Sequence, residues 1–169
     1  MPEKRTIQRA RKDKRQGKAA STQAGEFVRE EIDHIREGQH GARSTKQAIA
    51  IGLSMARRAG VNLKPPKKGM TSEKTRKNAA RAYARGHGAP ARAKPSAKRS
   101  RASLQALKRE GRAAASPRAL AKQAHAAAGR RSSSQRSASA RRAVRTKGPT
   151  ERSAAARKAA RTREMQSHA

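Results

Sequence analysis

The residues that could form a hydrophobic core are concentrated in one short part of this chain. The sequence has 169 residues but only fourteen Ile, Leu, Val or Phe residues, and nine of these lie between Phe27 and Leu63. There is no cysteine, so a disulfide cannot compensate for a small core. A folded element of under about 40 residues is marginally stable without such support. The sequence therefore predicts one small core and no second one.

The charge is the second strong constraint on the fold. The chain has 44 Lys and Arg residues against 11 Asp and Glu residues, which gives a formal net charge of +33. Few large apolar residues combined with such a charge are typical of disordered chains. The predicted fold class is therefore mostly disordered, with a small all-α helical hairpin and with tail segments that are helical only when bound.

The first helix of the predicted hairpin covers about residues 22–37. Its apolar residues recur at helical spacing and predict one buried side, whereas its acidic residues predict an exposed acidic side. Gly38 follows as a helix stop. The apolar residues are Phe27, Val28, Ile32 and Ile35, and the acidic residues of the opposite side are Glu30, Asp33 and Glu37.

The second predicted helix covers about residues 45–59 and has the clearest local signals. Ser44 and Gln47 match a capping box, and Gly60 followed by Val61 matches a Schellman ending. On a helical wheel Gly52 lies on the apolar arc, which predicts a close approach of the first helix. The opposite basic arc comprises Lys46, Gln47, Ala50, Ser54, Arg57 and Arg58.

The remaining sequence is basic and of low complexity. We predict a basic N-terminal arm at residues 1–20, the hairpin at 21–63 and a basic tail at 64–169. Alanine favours helix in parts of the tail, but repulsion between arginines and the lack of an apolar stripe oppose it. The predicted transient helices of the tail lie at about 73–85, 104–115, 117–128 and 151–164.

Basic residues around the second helix predict a nucleic-acid-binding site. The free amide groups at a helix start, at the positive end of the helix dipole, attract phosphate. Basic residues flank this start, continue along the basic arc and recur in the following linker. An ordinary capped helix with a solvated basic face is the alternative interpretation. The predicted site comprises Arg43, Ser44, Lys46, Arg57, Arg58, Lys67 and Lys68.

Several classes of protein are disfavoured by the sequence. No apolar run approaches about 18 residues, so no membrane span is predicted, and the N-terminus lacks the apolar region of a secretory signal. Glu31 and His34 form a single E-x-x-H pattern, which di-iron bundles use twice; we interpret it as part of the acidic face and predict no metal. No catalytic arrangement and no cofactor site is predicted, so the chain is not expected to be an enzyme.

The segment from His40 to Gly60 reads HGARSTKQAIAIGLSMARRAG. It resembles the hallmark of an uncharacterised bacterial family of short basic proteins, and the resemblance covers about Glu26 to Lys68. The chain departs from the family pattern at Met55, where an acidic residue is common. The resemblance implies a bacterial intracellular protein that binds DNA, and it brings no catalytic residues. The tail is similar in composition to the tails of linker histones.

Three functions follow as hypotheses. The first is non-sequence-specific DNA binding through phosphate contacts, in a nucleoid-associated, histone-like role in the bacterial cytoplasm. Aromatic residues make up 1% of the chain, so base stacking is not expected. The second is an RNA-binding or ribosome-associated basic protein. The third is an adaptor that docks a protein partner, or a second copy, through Ile51 and Met55, which widen the apolar arc beyond what the first helix covers.

Overall fold

The computed structural model describes residues 2–90, 96–146 and 148–167, and all regular elements in this part of the chain are helical. The chain forms two compact units, Met1–Ala124 and His125–Ala169. The helices are α1 (Lys4–Arg15), α2 (Ala20–Arg36), α3 (Thr45–Arg58), α4 (Glu73–Gly86), α5 (Ala97–Arg109), α6 (Pro117–Gly129), α7 (Ser133–Thr146) and α8 (Pro149–Ser167), with a 3₁₀ turn at Ala113–Ala115.

The prediction of a mostly disordered chain with one small hairpin is wrong. Five helices, α4 to α8, lie in the region predicted as a disordered tail, and α1 lies in the predicted N-terminal arm. Alanine has the highest helix propensity, and serine caps add to it. The Ser72 hydroxyl accepts a hydrogen bond from the Thr75 amide, and the Ser96 hydroxyl accepts one from the Arg99 amide.

The hydrophobic core of the described residues consists of two clusters at opposite ends of the α2–α3 pair. The first core cluster joins α2 and α3 to the 3₁₀ turn, and the second core cluster joins them to α1. Alanine is common in both, so the helices approach closely although large apolar residues are few. The first contains Ile32, Ile35, Ala42, Ala48, Ala114 and Ala115, and the second contains Ala10, Ala24, Phe27, Ala56 and Val61.

The close contact of α2 with α3 depends on Gly52. A Cβ atom at Gly52 would lie 2.6 Å from the Cα atom of Val28 and 2.9 Å from the carbonyl oxygen of Phe27. Any side chain there would therefore force the two backbones apart. The predicted close approach at this glycine is confirmed.

Both ends of α3 have the predicted caps. The Ser44 hydroxyl accepts a hydrogen bond of 3.2 Å from the Gln47 amide. The Gln47 side chain reaches back to the amide of Arg43, at 3.0 Å, which is one residue earlier than the capping box predicts. At the other end Gly60 has a φ of 85°, and the amide of Val61 donates to the carbonyl of Ala56 at 3.1 Å, which is the Schellman pattern.

The predicted acidic face of α2 is partly wrong, because other parts of the chain cover it. Glu30 and Glu31 are 3% and 2% exposed. Glu3, which precedes α1, donates its backbone amide to the Glu30 carboxylate at 2.8 Å. One turn earlier on α2, Arg9 of α1 pairs with Glu26 at 2.8 Å. The basic N-terminal arm is therefore a helix packed on the acidic one, as opposite charges favour.

The early tail docks on the hairpin through backbone groups and small apolar side chains, without a stripe of large apolar residues. The amides of Gly41 and Ala42 donate to the carbonyls of Leu107 and Gly111, at 2.9 and 3.2 Å. A Cβ atom at Gly41 would overlap the backbone of Glu110. Tail residues can thus be buried without large side chains, which is why the composition did not reveal their docking.

The second unit contains the end of α6 together with α7 and α8. The side chains described in α7 and α8 are exposed, and Val144 and Met165 are 49% and 76% exposed. These helices are therefore held by their own backbone hydrogen bonds and alanine-rich composition, not by a core. Within the described part of the chain, no helix combines the length and the apolar character needed to cross a membrane.

Candidate nucleic-acid interface

The start of α3 presents three of the predicted site residues to solvent. Arg43, Ser44 and Lys46 are exposed. Their neighbour Thr45 is buried, because its hydroxyl donates a hydrogen bond of 2.7 Å to the carbonyl of Ala114 in the 3₁₀ turn. One side of this helix end is therefore covered by the tail. The exposed side keeps two cationic side chains at the positive end of the helix dipole.

Arg57 does not lie on the exposed basic arc as predicted. It is 8% exposed, and its Nε atom donates a hydrogen bond of 3.1 Å to the carbonyl oxygen of Leu63. Burial lowers the pKa of Arg57 from its usual value. This guanidinium group fixes the chain that leaves α3, so its structural role is to hold residues 59–63 against the helix end.

Arg58 is exposed and held in place. Its Nε atom donates to the carbonyl oxygen of Ser54 at 3.3 Å, and its Nη2 atom donates to the Ser54 hydroxyl at 2.9 Å. The pKa of Arg58 is lowered, first by burial of part of the side chain and second by the positive charge of Arg85. A phosphate near both arginines would relieve this repulsion.

Arg85 is a component of this surface that the sequence analysis missed. It lies at the end of α4, next to Gly86, and a Cβ atom at Gly86 would overlap the carbonyl oxygen of Arg57. The absence of a side chain at Gly86 lets the end of α4 approach the end of α3, which brings Arg85 near Arg58. Only the packing of the two helices reveals this pair, since the residues are 27 positions apart.

The predicted site is not one cluster. Lys46 and Arg58 lie near opposite ends of α3, about 18 Å apart along the helix axis at 1.5 Å per residue. Lys67 and Lys68 are exposed in the connection between α3 and α4. The structure therefore spreads these cations over two ends of a helix and a following loop, an arrangement that suits a chain of phosphates better than a single anion.

The two residues proposed as a partner-docking patch are partly used inside the chain. Met55 packs against the second core cluster. Ile51 lines a groove together with Pro66 and Ala79, which belong to the connection after α3 and to α4. Both side chains are half-buried, so the tail takes up part of the apolar surface that the hairpin alone would expose.

A second group of polar residues lies near the C-terminal end of α2. Glu31, His34 and His40 come together there, and they are the described residues best placed to bind a metal, together with Glu3 and Glu30. The E-x-x-H pattern at Glu31 was visible in the sequence. The contribution of His40 was not visible in the sequence, because it depends on the fold of the loop between α2 and α3.

Comparison with known proteins links part of the chain to a described family. Residues 11–68 match a family of unknown function (DUF6496). The DUF6496 segment, residues 11–68, contains only the C-terminal end of α1, all of α2 and α3, and the loop as far as Lys68. No curated protein and no protein of solved structure matches the chain.

The extent of the DUF6496 segment is informative about the site. It includes all seven residues of the predicted nucleic-acid site, and it ends before α4 and the rest of the basic tail. Arg85 lies outside it. The function of the family is unknown, so any role of these residues has to be argued from their chemistry in this structure.

Proposed function

We propose that this protein binds nucleic acid, primarily double-stranded DNA, through contacts to phosphates that do not depend on base sequence. The observation that carries the proposal is the net charge of +33. Even if each of the 11 acidic residues neutralised one cation, most of the 44 Lys and Arg residues would have no carboxylate partner. Lys and Arg release condensed counterions from DNA when they contact its phosphates, and this release favours binding.

The arrangement of the cations supports non-specific contacts. The described side chains of α7 and α8 are exposed, and their basic residues are spread along the helices instead of gathered on one recognition face. Tyr83 of α4 stacks on His87, the residue that follows this helix, and Phe27 is buried, so neither aromatic ring is placed to stack on a base. Phosphate contacts position a protein on DNA but carry no sequence information. We infer a histone-like, nucleoid-associated role in a bacterial cell.

Binding of the full-length protein to several unrelated DNA duplexes tests the proposal. We expect affinities within about tenfold of one another, because the contacts are to phosphates, which every duplex has. In a sequence-specific protein each mismatched base pair typically costs about 1–3 kcal/mol, and this cost is not expected here. Electrophoretic mobility shift or fluorescence anisotropy measures this. A single preferred sequence, or no binding at low salt, would contradict the proposal.

The cellular target is tested separately. Crosslinking followed by sequencing of bound nucleic acid should recover mostly genomic DNA spread over many sites. Recovery of ribosomal RNA would identify the RNA-binding alternative instead. Capture of one protein partner that persists after nuclease treatment would identify the adaptor alternative.

Three exposed cations of the DUF6496 segment provide a local test. Replacing Arg43, Lys46 and Arg58 together by Ala should weaken DNA binding about tenfold. The backbone of α3 is fixed by its packing against α2, and the Arg58 side chain is held by hydrogen bonds to Ser54, so binding here costs less conformational entropy than binding by cations on unsupported helices. Anisotropy with one duplex at fixed salt measures the loss.

The matched control removes the same charge from α8. Replacing Arg152, Arg157 and Arg161 by Ala should weaken binding by less than about threefold, since contacts elsewhere in the tail substitute for them. Equal losses in the two triple variants would show that the α3 surface is not a preferred site. Arg57 is left unchanged, because it is buried and its replacement would perturb folding.

A further inference from the structure

Carboxylates and imidazoles converge at one place beside α2. Glu31, His34 and His40 each have a ligand atom within 4.8 Å of the other two. Glu31 and His34 lie on the same side of α2, three residues apart. The chain reverses at Gly38, which has a φ of 81°, and this turn returns His40 to the same side. Glu3, Glu30 and His34 form a second group at the same spacing, so His34 belongs to both.

Two of the glutamates of α2, Glu30 and Glu31, are buried without full compensation of their charge. The Glu31 side chain is 3% exposed, and its Oε1 atom accepts no hydrogen bond among the described residues and lies 3.7 Å from Nε2 of His40. Glu30 accepts the Glu3 amide with one oxygen, while its Oε2 atom is buried with no hydrogen-bond partner in that part of the chain. Buried ionised carboxylates are unfavourable unless a cation compensates them.

His40 has the orientation of a metal ligand. Its Nδ1 atom lies 3.1 Å from the carbonyl oxygen of Gly41, and only a protonated Nδ1 can donate to a carbonyl. The other nitrogen, Nε2, then faces Glu31. Histidines that bind metals commonly donate their second ring N–H to a backbone carbonyl or a carboxylate, which fixes the ring. His34 also has an oxygen partner, since its Nε2 atom lies 3.4 Å from Oε1 of Glu3.

The loop that carries His40 is fixed by contacts with the tail. The amide of Gly41 donates to the carbonyl of Leu107, and Gly41 packs directly on the backbone of Glu110. The His40 side chain is 14% exposed and the His34 side chain 19% exposed. The candidate ligand groups are therefore preorganised and largely shielded from water, unlike a cluster of acidic residues on the surface.

We propose that Glu31, His34 and His40 bind a divalent transition metal ion of the Zn²⁺ class, with Glu3 and Glu30 placed to complete the coordination. Imidazole nitrogens together with carboxylate oxygens suit Zn²⁺ and similar ions, whereas Mg²⁺ and Ca²⁺ prefer oxygen ligands alone. The ion compensates the buried carboxylates and ties the start of α1 to α2 and to the loop before α3. Its role is structural, and it is independent of the proposed nucleic-acid binding.

Titration of Zn²⁺ into the full-length protein tests this site. The protein is first freed of nucleic acid at high salt and of metal with a chelator. Calorimetry should show saturable binding of about one Zn²⁺ per chain, and the thermal midpoint should rise with Zn²⁺ because the ion binds only the folded state. Mg²⁺ at the same concentration should leave the midpoint unchanged.

Variants identify the ligands. His34→Gln and His40→Gln should each lower Zn²⁺ affinity more than tenfold, while His125→Gln, which changes an exposed histidine of α6, should leave it unchanged. Equal affinity in all three variants would overturn the proposal, as would the absence of saturable binding to the unaltered protein. Circular dichroism checks that the variants stay helical.

A spectroscopic measurement on the unaltered protein tests the site even if the variants fail to fold. Co²⁺ bound by imidazole and carboxylate ligands has visible absorption bands that differ from those of the aqueous ion. One equivalent of Co²⁺ should give such bands, and Zn²⁺ should displace them. A spectrum identical to that of aqueous Co²⁺ would overturn the proposal. DNA affinity is expected to be the same with and without Zn²⁺, so failure of one proposal leaves the other intact.

Discussion

Raising the salt concentration from about 50 to about 200 mM should weaken binding of the full-length protein to duplex DNA by about 10³- to 10⁵-fold, if six to ten phosphates are neutralised. The logarithm of the affinity should fall linearly with the logarithm of the salt concentration. Its slope is about −0.9 per phosphate contacted, because each neutralised phosphate releases condensed counterions. A chain with a net charge of +33 has more than enough cations for such a footprint.

Anisotropy measured over a salt series checks the slope directly. The variant with Arg43, Lys46 and Arg58 replaced by Ala should show a shallower slope, by up to about 0.9 for each phosphate that is no longer neutralised, while the variant with Arg152, Arg157 and Arg161 replaced should keep nearly the same slope. Single-stranded RNA should give a slope nearer −0.7 per phosphate. An affinity that changes less than about tenfold over this range would mean that phosphate contacts do not dominate binding.

Replacing Phe27 by Ala should destabilise the first unit by about 3–5 kcal/mol. Phe27 is 1% exposed and is the largest side chain in the second core cluster, where its neighbours include Ala10, Ala24 and Ala56. These alanines are too small to fill the cavity that removal of the ring would leave. Natural domains are stable by only about 5–15 kcal/mol, so this single change removes much of the margin.

Urea unfolding followed by circular dichroism measures the effect, and Leu104→Ala is the matched control. Leu104 is 47% exposed on α5, so its replacement should change the free energy of unfolding by about 0.5 kcal/mol or less. Similar losses in the two variants would contradict the core assignment. Because α7 and α8 are exposed, they are expected to melt separately, and the transition attributed to the first unit is the one to compare.

The parts of the fold that the sequence predicted are those controlled by local signals. The cap at Ser44 and the Schellman ending at Gly60 depend on residues within a few positions of one another, and the close approach at Gly52 depends on the lack of a side chain at a single position. Each was confirmed. Such features are readable because a cap or a contact glycine has a distinct chemical requirement at a fixed spacing.

The parts that the sequence analysis predicted wrongly depend on contacts between distant segments. The disorder prediction rested on the scarcity of large apolar residues, but Ala79, Ala114 and Ala115 become buried without them. Arg57 was placed on an exposed arc, but the end of α4 packs on its backbone at Gly86 and the residue is buried. Composition counts side chains and misses docking that uses backbone groups.

The candidate sites show the same contrast between local signals, which the sequence revealed, and contacts between distant segments, which it did not. Lys46 and Arg58 are exposed, and Arg58 acquires Arg85 as a neighbour only when α4 packs on α3. Glu31 and His34 were recognised as a pattern, but their burial follows from α1 and from the return of the loop with His40. Chemical groups can be found in a sequence, whereas their convergence requires the fold.

The way the early tail is fastened has a consequence for how this protein can change over evolutionary time. The acceptors at Leu107, Gly111, Ala114 and Ala115 are all main-chain carbonyls, which every amino acid provides. Substitutions at these positions are limited by the size of the new side chain and not by its functional group. Sequences of this segment can therefore drift freely among small residues while the attachment persists, and two relatives that look unrelated after residue 68 can still share it.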